Sequence, residues 1–186
     1  MKEVDNVLRI FEETKEAIDK GDSAKINTLS NQTMNTASLT QDPDNIAVAV
    51  IVYSLSKIIE RQNYKELRGW KPFYTTYLNS INNILDALKN NKEKQLKQNL
   101  ELIRQSIEKL SGKLKIYIQD VFRKAKINKA SKIHEHGLSS EKTASLLGIT
   151  MHELASYAGQ KNLADIPETL TIDIKTRINT AMEMFE

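Results

Sequence analysis

The chain has three histidines, and two of them, His134 and His136, flank Glu135. Alternate residues on a helix point roughly 200° apart. The pair therefore meets at one ion only where the helix has ended, and His136-Gly137 marks such an end. The third histidine opens His152-Glu153-Leu154-Ala155-Ser156, which starts like a zinc-protease helix. Ser156 stands where the second imidazole ligand is required, so that reading fails. There is no cysteine, which removes thiol catalysis, Cys-ligated zinc and a disulfide scaffold. No glycine-rich phosphate loop, nucleophile elbow or dinucleotide fingerprint is present. The acids Glu12-Glu13 sit on an ordinary amphipathic face. Trp70, Tyr74 and Tyr77 lie about one helical turn apart, which suits packing better than base stacking. No enzyme, metal site or cofactor is expected.

What remains is charge. The chain carries 27 basic and 24 acidic residues, a net +3. Divided along its length, that small number changes meaning. Residues 1–88 carry −2 and residues 139–186 carry −3, while residues 89–138 hold 13 basic against 5 acidic groups. The positive excess is densest at Arg123, Lys124, Lys126, Lys129 and Lys132. With 21 Lys to 6 Arg, it offers point charges more than bidentate forks.

The elements that carry these charges read as helices throughout. A length of 186 residues with 40% hydrophobic and 27% charged side chains fits one globular domain or a domain with an appendage. Six glycines and three prolines are too few for an all-β chain. The first residues mix acids into an apolar pattern, unlike a signal peptide. The most apolar run, residues 46–53, is far shorter than the ~20 residues that span a bilayer. A soluble, cytoplasmic protein with no membrane partner is the expectation.

Val4, Val7, Leu8, Phe11 and Ile18 form a helical stripe ending at Gly21. Ser23 is placed to cap a second helix, with Ile26, Leu29, Met34 and Ala37 inward. Asp42-Pro43-Asp44 supplies a capping acid, a first-turn proline and a first-turn acid. They open a helix apolar almost all round, as suits the centre of a bundle. Pro72 opens the next. Leu96, Leu100, Ile103, Ile107, Leu110, Leu114, Tyr117 and Val121 then alternate at spacings of four and three, an a/d seam. Gly112 does not shift the phase, so one continuous helix is expected over residues 92–136, roughly 65 Å long. Gly21, Gly69, Gly137, Gly148 and Gly159 are expected to punctuate helices, with Gly112 alone inside one.

After Gly137 the text becomes LSSEKTASLLGITMHELASYAG. Ser139 or Ser140 caps a short helix with Ala144, Leu146 and Leu147 inward. Gly148 makes a turn, Ile149 plugs the corner, and Thr150-x-x-Glu153 forms a capping box for a second helix with Leu154 and Tyr157 inward. The small Ala144 four residues before the turn glycine, and Leu154 six after it, complete a pattern that resembles the helix-turn-helix of DNA-binding proteins. The stretch GITMHELASYAG further resembles the units of prokaryotic, especially archaeal, small regulators and antitoxin-like proteins. The resemblance covers this segment alone.

The resemblance implies that the second helix enters a major groove, with Met151, His152, Ala155, Ser156 and Gln160 facing bases. Arg123, Lys124, Lys126, Lys129, Lys132, Lys142 and Lys161 are the candidate phosphate contacts. A homodimer follows from mechanism, since one such helix reads one half-site. The expected fold is all-α: an N-terminal helical bundle, one long helix and a C-terminal helix-turn-helix. The division is residues 1–128 for the bundle and most of the basic helix, and 129–186 for the helix-turn-helix with a C-terminal helix built on Ile174, Ile178, Ala181, Met182 and Phe185. The expected function is a DNA-binding regulator whose N-terminal bundle meets a protein partner. The alternatives are a non-catalytic helical adaptor with a protein-contact helix-turn-helix, and an RNA- or ribosome-associated protein.

Overall fold

The computed structural model describes residues 1–61 and 64–164, with backbone alone at 35–36, 38–39 and 158–164. The tail pattern from Ile174 to Phe185 lies outside the described residues. The fold is all-α. Its helices are α1 (Val4–Lys20), α2 (Ser23–Thr40), α3 (Pro43–Glu60), α4 (Trp70–Lys89), α5 (Glu93–Glu108), α6 (Gly112–Glu135), α7 (Ser140–Leu147) and α8 (Met151–Ala164).

The helix starts follow local chemistry. Asp42 Oδ1 accepts from the Asp44 amide at 2.9 Å, and Pro43 occupies the first turn, where its missing N–H costs nothing. The α2 cap is Asp22 rather than Ser23, with Oδ1 accepting from the Lys25 amide at 2.9 Å. A carboxylate one residue earlier is the better acceptor at the positive helix end. Gly21 ends α1 in the left-handed region at φ 65°. The amides of Gly21 and Asp22 there reach back to the carbonyls of Ile18 and Ala17.

The expected long helix is two helices. α5 ends at Glu108, Ser111 is extended (φ −136°, ψ 166°), and Gly112, the first residue of α6, takes φ 58°. Only glycine enters that region without a Cβ penalty, so a residue expected to be a passenger is the joint. The joint also resets the register. Tyr117, expected on the seam, is 48% exposed, and Ile118 is fully buried in its place with Leu114, Val121 and Ala125. Gly159 shows the opposite exchange: expected to end its helix, it lies within α8, which continues to Ala164.

Two cores result. The larger joins α1 to the central α3, α4, α5 and the first half of α6 around Val48, Val52, Leu55 and Tyr77. Tyr77 is fully buried, and its hydroxyl donates to the Ile51 carbonyl at 2.7 Å. Trp70 stacks on Tyr74 with ring centroids 5.1 Å apart, so these aromatics are packing groups. The smaller core joins Met34 and Ala37 of α2 and Ile46, Ala49 and Val50 of α3 to Ala125, Ala130 and Ile133 of α6, closed by Leu147 and Leu154. Phe122, half-buried on α6, packs against both. The second core therefore draws on both sides of residue 128.

Candidate nucleic-acid interface

α7, the turn and α8 are held by contacts written in their own sequence. Ser139 Oγ accepts from the Lys142 amide at 3.2 Å and starts α7. Gly148 ends it at φ 60°. The amides of Gly148 and Ile149 reach the carbonyls of Ser145 and Ala144 at 3.3 and 3.1 Å, a closed helix terminus. The capping box forms in both directions. The Thr150 amide donates to Glu153 Oε2 at 3.0 Å, and the Glu153 amide donates to Thr150 Oγ1 at 3.1 Å. These Thr150 hydrogen bonds, with Arg123 behind them, hold the Glu153 carboxyl below its usual range. Ala144, Leu147 and Leu154 are buried. Their burial against α6 fixes which side of α8 faces outward.

That outward side carries four of the five expected base-facing residues. Met151 is 56% exposed, and His152, Ala155 and Ser156 are exposed. The fifth, Gln160, and Lys161 lie on α8 where the backbone alone is described. Tyr157, expected inward, is half-buried, and its hydroxyl accepts from Asn128 Nδ2 at 3.0 Å.

The structure sorts the expected phosphate contacts into different places. Arg123 is 58% exposed and pairs with Glu153 at 3.3 Å. Lys124 is 60% exposed and pairs with Asp120 at 2.7 Å. Lys142 is exposed on α7 and Lys132 half-buried on α6. Lys126 turns away from α8 and lines a different groove, beside α5 and α7.

Lys129 is the correction. It is fully buried and cannot reach a phosphate. Its Nζ donates to Asn31 Oδ1 at 3.0 Å and sits 4.3 Å from the centre of the Tyr53 ring. Burial first, and the nearby Lys132 charge second, bring its pKa down to about 7. The helical period turns Lys129 toward α2 and α3, four residues after the buried Ala125, while Arg123 and Lys124 face out.

Two cations that the sequence did not single out join the outward set. Lys57 and Arg61, at the end of α3, line a groove of about 520 Å³ with Arg123 and Lys124 of α6 and His152 and Ser156 of α8. Tyr53 and Tyr157 form part of its wall. Lys57 pairs with Glu60 at 2.7 Å. The groove is thus a channel beside α8 with aromatic sides, lined by four cations and the carboxylate of Glu153, and three of those cations pair with Glu60, Glu153 and Asp120. Lys57 and Arg61 come from the slightly acidic first 88 residues, and only folding brings them to the basic segment.

Comparison with family models, characterised proteins and solved structures gave no match. Among the described residues there is no group of three His, Cys, Asp or Glu placed to hold a metal ion. His134 Nδ1 lies 2.7 Å from the Leu138 carbonyl and serves the end of α6. No helix among those residues is long and apolar enough to cross a membrane.

Proposed function

We propose that this protein is a double-stranded DNA-binding regulator that lays α8 in the major groove. The observation that carries this reading is the continuity of two surfaces. The exposed arc of Met151, His152, Ala155 and Ser156 runs directly into the channel ringed by Lys57, Arg61, Arg123 and Lys124. A duplex seated on α8 would place its backbone over those four cations, which position it, while the arc meets base edges. Lys142 extends the phosphate contacts at the start of α7. The resemblance of the α7–turn–α8 sequence to the helix-turn-helix of small regulators and antitoxin-like proteins supports the same reading. A dimer would supply the second half-site.

Fluorescence anisotropy on random duplexes at low salt, followed by selection from a randomised pool, tests it. With the four channel cations and Lys142 as phosphate contacts, the logarithm of affinity should fall against the logarithm of salt with a slope of roughly −4 to −5 per chain. Lys57→Ala with Arg61→Ala should lower that slope by about 2, uniformly across sequences. Full-length protein that binds no duplex at low salt overturns the proposal. The second reading, a protein-contact module, is favoured by one feature: the exposed arc of α8 offers neither Arg nor Asn for bidentate base readout. It requires that duplex affinity be absent or indifferent to both the α3 substitutions and His152→Ala.

A further inference from the structure

A second groove, of about 510 Å³, opens between α3, α5, α6 and α7. Its walls are apolar: Ile46 and Val50 on α3 face Leu100, Ile103 and Ile107 on α5. Phe122 lines it on α6, and Leu146 and Leu147 of α7 line it on that side. The volume lies within the range of small-molecule sites. A docked helix is about 10 Å across, so the groove would hold only about one turn of it. A chain-like or flat apolar body is the better fit.

The charges around this groove are unequal in their partners. Lys97 is matched by Asp44 at 3.7 Å and by Glu93 at 3.0 Å. Arg104 is matched by Glu101 at 2.6 Å. Lys126, one helical turn beyond Phe122, lines the groove with no carboxylate within ion-pair distance among the described residues. An apolar cleft ending at an unmatched ammonium calls for an apolar body with an anionic head.

We propose that this groove binds a small amphipathic acid, its alkyl or aryl body between α3 and α5 and its carboxylate on Lys126 Nζ. Phe122 packs against both cores and Leu146 and Leu147 belong to α7, so an occupant touches the element that carries α8. An effect of the acid on duplex binding rests on the DNA-binding reading; the binding of the acid does not.

The test is an equilibrium titration of the full-length protein with a dansyl-labelled fatty acid, read by fluorescence, with dodecanoate and dodecanol as competitors. Saturable binding at one site per chain is expected, with dodecanoate displacing the probe at least about tenfold better than dodecanol. Lys126→Met should weaken dodecanoate about tenfold with an unchanged thermal midpoint. Ala47→Trp, which fills the groove from a half-buried position on its wall, should abolish binding with an unchanged circular dichroism spectrum. Absence of saturable binding overturns the proposal, as does equal competition by dodecanol or undiminished binding in both variants. Binding that appears only after residues 165–186 are removed would overturn it too, assigning the groove to the chain's own terminal segment. None of these readouts involves nucleic acid, so failure here and failure of the DNA-binding reading are separately visible.

Discussion

Replacing Lys129 by methionine removes a buried charge while keeping an unbranched side chain of similar length. In the native chain this ammonium is fully buried between α2, α3 and α6. Its partners are the Asn31 side-chain carbonyl and the Tyr53 ring face, with Lys132 adding a repulsive charge. The native pKa of about 7 lies below the ordinary 10.5. Each step of one between those two values is worth about 1.4 kcal/mol. Holding the charged form in the core therefore costs roughly 4–5 kcal/mol relative to water. Between about pH 7 and 10.5 the unfolded chain binds more protons at this position than the folded one, so stability rises with pH across that window. From pH 7 to 9 the gain is roughly 2 kcal/mol. Lys129→Met should lack this rise. It should also be the more stable protein at pH 7, by about 1–4 kcal/mol once the lost hydrogen bond and cation–π contact are subtracted. Urea unfolding followed by circular dichroism at pH 7 and pH 9, on both proteins, measures the difference. A variant less stable than the parent at pH 7, or one with the same rise between the two pH values, would refute the reasoning.

The two glycines that exchanged roles should answer alanine with opposite signs. Gly112→Ala meets open space but a left-handed backbone, so it should cost about 1–2 kcal/mol and lower Tm by roughly 3–6 °C in a thermal scan. Gly159→Ala, inside α8, should stabilise by about 0.5–1 kcal/mol. Thr150→Ala removes the acceptor of the Glu153 amide. It should cost about 1 kcal/mol and speed hydrogen exchange at the start of α8.

The helices were legible wherever the signal was local. Asp42-Pro43-Asp44, Ser139, Gly148 and the Thr150–Glu153 box each satisfy backbone groups within a few residues, and each does in the structure what its spacing announces. The α5–α6 joint was hidden because the apolar spacing runs through Leu110 and Leu114 without interruption. Periodicity records which residues are apolar, and a backbone break that keeps Leu110 and Leu114 buried leaves no trace in it. Tyr117 and Ile118 are both acceptable inside, so the register was decided by the joint. The candidate site was half legible. The exposed arc of α8 follows from the positions of Ala144 and Leu154. Lys129 could not be told from Lys124 or Lys126, because its burial depends on Asn31 and Tyr53, far away in the chain. Lys57 and Arg61 reach the channel only because α3 is packed between α2 and α6.

The second core also bears on how this protein can be dissected. Met34, Ile46 and Val50 are buried by residues that come a hundred positions later, among them Leu147 and Leu154. A chain cut near residue 128 would leave those side chains in water, and a piece beginning there would lose the wall it packs against. Neither fragment is a smaller version of the whole. The α7–turn–α8 unit, whatever it binds, is not a transplantable cassette. Surface substitutions on the intact chain, not cuts through α6 or grafts of α7 and α8, are the perturbations that can separate loss of contact from loss of fold there.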